Sequence, residues 1–289
     1  MIKPFCYLLL FLVQDNYSLT WKFAKGDRFT VETSSQLKQS VRVDGKEFPK
    51  EINHLVKITY TVDEIEDDGT IGIEIVVDSM NAQNTDGSLS SGNNAILNQL
   101  LGSKFKIKLQ SDLQIKELDG YDELLQRVAG DDPSLRRVVQ ALLSEELLKR
   151  SIAQTFDFIP QRTLSEGETW KREANLSLGP LGSISNHLAF KLVGKVTLDG
   201  HDLVKLEYRP KVKYSLPASD AANPELAIVA GNIFLEKCTG IAYFDSKAGR
   251  LHSADLKLHL KGGMKAKLRG KEVPVDFEQT QSITTRILK

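Results

Sequence analysis

The residues of this 289-residue sequence that could do chemistry are five histidines, two cysteines and scattered carboxylates. His54 and His187 occupy matching positions in two similar stretches, which favours a structural role shared by both over catalysis. His252 and His259 lie seven residues apart. An odd separation on a strand sends side chains to opposite faces, so these two make a poor metal pair. The pattern predicts no metal site and no catalytic histidine.

Nucleophiles and carboxylates give no stronger signal. The sequence contains no Gly-rich phosphate loop before a helix, no H-E-x-x-H and no G-x-S-x-G, so it predicts neither a cofactor nor a catalytic residue. Cys238 is predicted to be a small buried residue, because the sequence places no histidine partner near it that would lower its pKa. A hydrolase would have to use acids such as Asp157, Glu166 and Glu168, and unpaired acids are common on any β scaffold.

The charge balance narrows the choice of partner. The sequence has 38 basic and 38 acidic side chains, and its formal net charge is zero. A neutral chain has no electrostatic footprint for a polyanion, which argues against a nucleic-acid partner. The partners that the sequence leaves open are an apolar small molecule or a protein of the cell envelope.

The first 18 residues are predicted to be a signal segment. Lys3 precedes an almost wholly apolar run over 4–13, which is long enough for a secretory signal and too short to span a bilayer. No A-x-A cleavage site follows this run. The expectation is an exported protein, periplasmic or extracellular, with no transmembrane span in the mature chain.

From Leu19 onward the dominant period is two, which is typical of antiparallel strands that cover a core on one side. Apolar residues alternate with polar ones in four clear runs, at 71–78, 104–109, 204–208 and 255–260. Dipeptides that tolerate a positive φ separate such runs and predict tight hairpin turns: Asp44-Gly45, Asp68-Gly69, Asp199-Gly200 and Ala248-Gly249.

The exception lies in the middle of the chain, over 120–159. A short helical stretch over 121–128 is followed by Asp131-Asp132-Pro133, a typical helix start. Apolar residues then recur at steps of three and four, which predicts one amphipathic helix of about twenty residues that ends before Pro160. We expect this hairpin to pack against an open sheet.

Similar segments recur at an offset of about 130–140 residues, which indicates an internal repeat. Gly26-Asp27-Arg28-Phe29 is matched by Gly167-Glu168-Thr169-Trp170, and Asn53-His54-Leu55 by Asn186-His187-Leu188. The predicted fold class is mainly β (α+β): a duplicated, curved antiparallel sheet or partial barrel with a central helical hairpin packed against it. Four segments are expected: the signal segment 1–18, a first β unit 19–119, a helical connector 120–159, and a second β unit with a C-terminal hairpin, 160–289. Two separate lobes are the alternative.

The opening of the first unit resembles a known family. Leu19-Thr20-Trp21-Lys22-Phe23, with Lys25-Gly26-Asp27 and Phe29, is similar to the start of an uncharacterised family of bacterial secreted proteins with a W-x-F-x-x-G-D motif. The later Pro160 with Gly167-Glu168-Thr169-Trp170 adds to the similarity, which spans nearly all of the mature chain. The resemblance implies export and a β-rich fold, and it carries over no activity and no catalytic residues.

Three functions are then open. The first is an exported, non-catalytic binding or structural module of the envelope, and the second is a carrier that holds a lipid or another apolar ligand between curved sheet and helix. The third and weakest is a hydrolase. The side chains predicted to contact an apolar ligand, or to join helix and sheet, come from the helix and from an apolar stretch after a polar loop: Leu135, Val139, Leu142, Leu143, Leu226, Ile228 and Val229.

Overall fold

The computed structural model describes residues 15–84, 99–177, 183–216, 226–268 and 271–288. Strands dominate this part of the chain, and a helical region separates them into two groups. The helices are α1 (Tyr121–Ala129), α2 (Pro133–Leu142) and α3 (Glu145–Ala153). The strands before them are β1 (Asn16–Leu19), β2 (Arg28–Val43), β3 (Lys46–Ile65), β4 (Ile71–Asn84), β5 (Lys104–Leu109) and β6 (Ile115–Asp119). The strands after them are β7 (Arg162–Ser165), β8 (Thr169–Ser177), β9 (Ser183–Leu198), β10 (His201–Ser215), β11 (Leu226–Asp245), β12 (Arg250–Leu268) and β13 (Lys271–Leu288).

Eleven of these strands form one antiparallel sheet in the order β6-β5-β4-β3-β2-β13-β12-β11-β10-β9-β8. The sheet is open, with β6 and β8 at its edges, and it is not a closed barrel. The last strand, β13, pairs with β2 along most of its length and so joins the two groups of strands. A separate two-stranded ribbon pairs β1 with β7. The prediction of a mainly β fold with a large antiparallel sheet and a helical hairpin is confirmed.

Two tight turns have the geometry that their Asp-Gly dipeptides predicted. Asp44 and Gly45 have φ values of 49° and 78°, and they join β2 to β3 so that Val43 faces Lys46. Asp199 and Gly200 have φ values of 49° and 79° and join β9 to β10 in the same way. Positive φ at both central residues matches the twist of the flanking strands, which sets the register of each hairpin.

The helical region differs from the single long helix that the apolar periodicity predicted. The helix breaks at Leu143, where φ is −140°, and α3 starts anew with Ser144 as its N-cap. The Ser144 hydroxyl accepts a hydrogen bond from the Leu147 amide at 3.2 Å. A serine side chain competes for backbone donors and therefore favours a helix start over a helix interior. No helix in the described residues is long and apolar enough to cross a membrane.

The apolar side chains of the sheet form two clusters. The main core joins strands from both groups to the helical region and includes Trp21, Tyr60, Phe156, Trp170 and Phe244. A second, smaller core lies on the long strands β11, β12 and β13, and its buried members are Ile228, Ile233, Leu260, Met264, Ala266, Val275 and Phe277. The long strands therefore extend beyond the helices and pack their distal parts on one another.

Candidate functional site

A cleft of about 460 Å³ lies between the end of α3 and the face of the sheet that carries the main core. Its floor and walls come from seven strands that are neighbours in the sheet, in the order β2-β13-β12-β11-β10-β9-β8. In a flat sheet, strands six places apart would be separated by about 29 Å. Because β2 and β8 both line this one cleft, the sheet must curl around it.

The walls of the cleft are apolar, and many of the side chains that form them are only half-buried. Six of its large apolar side chains are half-buried: Val31, Phe158, Leu188, Tyr208, Leu256 and Ile287. Ala242, Leu251 and Phe190 lie deeper and are buried. The Thr33 and Thr285 hydroxyls lie 3.3 Å apart, within hydrogen-bonding distance, so the polar groups of the floor satisfy each other. A ligand that filled the cleft would remove the six half-buried side chains from water, which is a favourable change.

The segment 154–159 follows α3, and we call it the roof because it covers one side of the cleft. Two indoles hold its backbone: Trp21 Nε1 donates to the Phe156 carbonyl and Trp170 Nε1 to the Phe158 carbonyl, each at 2.9 Å. Arg172 on β8 donates through Nη2 to the Ile159 carbonyl at 3.0 Å. Three side chains from two separate parts of the sequence thus hold the carbonyls of Phe156, Phe158 and Ile159 in the roof.

Charged and polar side chains line the mouth of the cleft beside the roof. Arg172 Nε lies 2.9 Å from an Asp157 carboxylate oxygen, and Glu173 stands next to Arg172 on β8. Ser151, Gln154 and Thr155 complete this rim. The site therefore has apolar walls and a polar, ion-paired mouth, which is the common composition of small-molecule pockets.

Tyr208 occupies a special position in the cleft wall. Its ring stacks on Phe190 with 5.3 Å between centroids, and its hydroxyl donates to the Asp255 carbonyl of β12 at 3.2 Å. To reach β12 the ring crosses β11 at Gly240, where an added Cβ would lie 2.8 Å from the Tyr208 Cδ2 atom. Glycine at position 240 is therefore what lets the Tyr208 ring lie flat on the sheet.

Burial holds the pKa of Tyr208 well above its usual range, and the nearby Cys238 and Asp255 act in the same direction. A raised pKa means that the neutral phenol contributes its full stability below about pH 10. That contribution is lost as the pH rises, because the unfolded chain releases the proton first. We expect the difference in unfolding free energy between wild type and Tyr208→Phe to be constant up to about pH 10 and to shrink above it. Chemical denaturation across pH 8–11.5 would measure it, and a difference that stays level to the highest pH would contradict the assignment.

The model of a family of unknown function, DUF6263, matches residues 53–206, which is more than half of the chain. The chain belongs to the DUF6263 family. The matched residues run from β3 into β10 and contain the helical region and the Gly167–Trp170 stretch, whereas the Trp21–Asp27 motif precedes them. The predicted resemblance to an uncharacterised family is confirmed to that extent, and the motif and secretion stay predictions.

The other comparisons add no function to the DUF6263 assignment. A crystal structure of a DUF1329 family protein from Desulfovibrio piger ATCC 29098 is 10% identical, covers 86% of this chain and 83% of that chain, and has a TM-score of 0.13. A TM-score this low carries no argument about fold or activity. No protein with a curated description matches the sequence.

In this DUF6263 chain the five described side chains among the seven predicted to contact a ligand lie in different environments. Val139 is buried and Leu143 packs on the main core, whereas Leu135 is 39% exposed. Ile228 belongs to the second core and Val229 is 42% exposed. The side chains of Leu142 and Leu226 lie outside the described residues. None of the five described side chains lines the cleft, so their role as ligand contacts stays a prediction.

Two of the acids named for a hydrolase, Asp157 and Glu168, form structural contacts in the DUF6263 chain. Asp157 pairs with Arg172, and Glu168 accepts from the Ser165 amide at 3.1 Å and pairs with Arg162 at 2.6 Å. The Arg162 side chain and the Ser165 amide hold the pKa of Glu168 below its usual range. Within the described residues, no group of three or more His, Cys, Asp or Glu side chains is placed to hold a metal ion.

The alternating sequence pattern assigned the cleft residues to the correct face of the sheet. It did not show which part of each strand lies in the cleft. Tyr208 and Leu256 belong to two of the alternating runs, and the two tryptophans open the two β groups. Alternation assigns a side chain to one face of the sheet. It does not say which part of a strand of 15 or 20 residues lies under the helical region, because that depends on strand pairing that is distant in sequence.

Proposed function

We propose that this chain is a non-catalytic binding protein that holds an elongated apolar ligand, such as an acyl chain, in the cleft between α3 and the curled sheet. The observation that carries the proposal is the row of half-buried apolar side chains around a cleft of about 460 Å³. This volume falls within the range of about 300–1,000 Å³ that is typical of small-molecule sites. The ion pair between Asp157 and Arg172 at the mouth of the cleft supports a role without catalysis.

Export to the cell envelope belongs to the same proposal. Its support is the apolar run at 4–13 behind Lys3, together with the resemblance to secreted proteins. Residues 1–14 lie outside the described residues, so the fold does not bear on this point. Cell fractionation followed by identification of the N-terminal residue would test export. A chain found in the cytoplasmic fraction that retains Met1 would contradict it.

We also propose that the sheet arose by internal duplication, and matching contacts at two turns support this. The Gly26 amide donates to the Val62 carbonyl and the Val62 amide to the Asp27 carbonyl, both at 2.8 Å. The same pair of bonds joins Gly167 and Glu168 to Leu192, at 2.9 and 3.0 Å. Two units that failed to superpose strand for strand in an experimental structure would contradict the duplication.

The binding proposal can be tested with the protein's own fluorescence. The sequence contains two tryptophans, Trp21 and Trp170, and both are bonded to the roof of the cleft. Titration with a brominated fatty acid should quench their emission in a saturable way, with one ligand bound per chain. Val31→Lys should weaken binding at least about tenfold, or about 1.4 kcal/mol, because it places a charge in the apolar wall.

The matched control lies three residues away on the same strand. Ser34 is exposed on the opposite face of β2, so Ser34→Lys adds the same charge outside the cleft and should leave the affinity unchanged. Folded wild-type protein that shows no saturable quenching with any acyl chain would contradict the binding proposal. Equal affinities of the two lysine variants would show that the ligand binds elsewhere.

A further inference from the structure

The outer face of the sheet, on the side away from the cleft, carries a group of exposed basic side chains between β8 and β11. On β10, Tyr208 packs on the main core, and Val212 and Tyr214 pack on the second core. Successive side chains of a strand point to opposite faces, so the residues between these three lie on the outer face. The members of this group, which we call the basic patch, are Lys171, Lys191, Arg209, Lys211, Lys213 and Lys237. Within the described residues, none of the six forms an ion pair.

Strand pairing brings the basic patch together. Arg209 on β10 lies opposite Ala189 on β9, and Ala189 lies opposite Lys171 on β8. Lys191 and Arg209 also line a surface hollow of about 420 Å³ that reaches Thr239 on β11. At the usual spacing of paired strands, β8 and β11 are about 14 Å apart along the sheet. The positive charges therefore share one small area.

The acids that border the basic patch do not neutralise it. Glu207 lies 3.4 Å from the Lys205 ammonium group, which is not a member of the patch. Glu236 lies 3.1 Å from the Lys261 ammonium group on β12. These carboxylates are already balanced by other cations, so the charges of the patch remain uncompensated.

The outer face of the first group of strands differs in this respect. There Lys38 lies 2.9 Å from Glu51, and Lys57 lies 2.8 Å from Glu32. The formal net charge of the chain is zero, so the fold rather than the composition gathers unpaired positive charge on one half of the sheet. Like charges held this close repel one another, and a negatively charged partner would remove that cost.

A large apolar side chain stands on the same outer face. Phe234 on β11 lies opposite Lys261 in the ladder, three residues before Lys237, and its side chain is 49% exposed. Because the sheet curls around the cleft, its outer face is convex, which suits contact with a broad surface better than enclosure of a single strand of nucleic acid. Basic side chains beside an exposed aromatic ring match the phosphates and the interfacial zone of an anionic bilayer.

We propose that the basic patch and Phe234 dock this protein on a phospholipid surface that carries anionic headgroups. The cations contact the lipid phosphates, and the Phe234 ring enters the headgroup level. Lys171 precedes Arg172, which lines the mouth of the cleft, so docking brings this edge of the cleft to the bilayer. The docking goes beyond the proposed function and does not depend on what the cleft holds.

Flotation with lipid vesicles measures the docking. The full chain should bind vesicles of phosphatidylcholine that contain about one-third phosphatidylglycerol, and it should bind pure phosphatidylcholine vesicles at least about tenfold more weakly. Raising the salt concentration from about 0.1 M to about 0.5 M should release it from the anionic vesicles, because counter-ions screen the attraction.

A triple substitution on β10, Arg209→Gln with Lys211→Gln and Lys213→Gln, removes half of the basic patch. Each basic side chain near an anionic surface contributes about fivefold to the affinity. The triple variant should therefore bind anionic vesicles at least about a hundredfold more weakly than wild type. The three side chains are exposed, so the variant should keep its fold, which circular dichroism checks.

The matched control changes the net charge by the same amount on the first group of strands. Lys38→Gln with Arg42→Gln and Lys57→Gln removes three cations that form ion pairs on the outer face of β2 and β3. Exposed pairs of this kind contribute little to stability. The control should lose less than about threefold in affinity for anionic vesicles, because its charges lie outside the docking surface.

Phe234→Ser tests the apolar part of the surface. It should weaken binding to anionic vesicles about fivefold, since a half-exposed ring then no longer leaves water. The dependence of the affinity on salt should stay as in wild type, because no charge has changed. An affinity equal to that of wild type would overturn the insertion of Phe234.

Three outcomes would overturn the docking itself. The first is equal binding of wild type to anionic and to pure phosphatidylcholine vesicles. The second is an equal loss of affinity in the two triple variants, which would show a response to net charge alone. The third is tighter binding to a single-stranded oligonucleotide than to anionic vesicles, lost in the β10 variant, which would make the patch a nucleic-acid surface. None of these measurements needs a ligand in the cleft, so a failure of the acyl-chain proposal would leave them unaffected.

Discussion

Trp21→Ala should lower the free energy of unfolding by about 3–5 kcal/mol, the range for truncating a large buried aromatic side chain. Trp21 is 5% exposed, and its ring lies 5.4 Å from that of Phe156 and 6.4 Å from that of Phe244. Its loss would leave a cavity where the roof meets the sheet. It would also leave the buried Phe156 carbonyl without its donor, which adds to the cost. Urea denaturation followed by circular dichroism measures the change.

Trp21→Phe separates the two contributions, because it keeps an aromatic ring and removes only the indole donor and some volume. We expect it to cost clearly less than the alanine variant, by about 1–3 kcal/mol in total. Trp170→Phe is the matched control on the other side of the roof, where the indole makes the same kind of bond to the Phe158 carbonyl. An alanine variant at position 21 that unfolds within about 1 kcal/mol of wild type would contradict the role of Trp21 as an anchor.

Gly120→Ala should lower the free energy of unfolding by about 3 kcal/mol or more, because two unfavourable effects coincide at this position. Gly120 has a φ of 95°, which disfavours any L side chain. An added Cβ would also meet the Lys104 carbonyl and would lie 3.2 Å from the Phe105 Cα, both backbone atoms of β5. Neither neighbour can move without disturbing the ladders of the sheet. The Asp119-Gly120 junction thus packs the start of α1 directly on the sheet edge.

Gly26→Ala is the control that isolates the backbone effect. Gly26 has a similar φ of 87°, but an added Cβ there meets nothing within 4 Å. We expect a cost of about 1–2 kcal/mol at this position, from the left-handed conformation alone. The difference between the two variants in thermal or urea denaturation measures the steric part. Equal costs would mean that β5 yields to the added methyl group.

Much of the sheet was predictable because its signals are local. Alternating runs such as Ile71–Val77 assign one face to the core, and Asp44-Gly45 and Asp199-Gly200 fix two hairpins through their positive φ values. The helical region was equally visible in the spacing of its apolar residues. Its interruption at Leu143 was not, since Ser144 is unremarkable in a polar stripe until it acts as an N-cap.

The cleft could not be predicted from the sequence, because it depends on pairing between residues that are distant in the chain. Val31 and Leu188 become neighbours of one cavity only after β13 has paired with β2 and the sheet has curled. The apolar stretch Leu226–Val229 is a second case in which packing depends on distant strand pairing. Ile228, one of the side chains predicted to contact an apolar ligand or to join helix and sheet, packs in the second core, because β11 carries it along β12 to the distal end of the sheet.

Native mass spectrometry of the chain, purified without detergent or organic solvent, tests the central claim most directly. The account predicts an added mass that organic solvent removes, that is identified as an apolar molecule with an acyl chain, and that is absent from the Val31→Lys variant but present in Ser34→Lys. A bare protein mass in repeated gentle preparations, from a folded chain that also fails to take up added fatty acid, would contradict it.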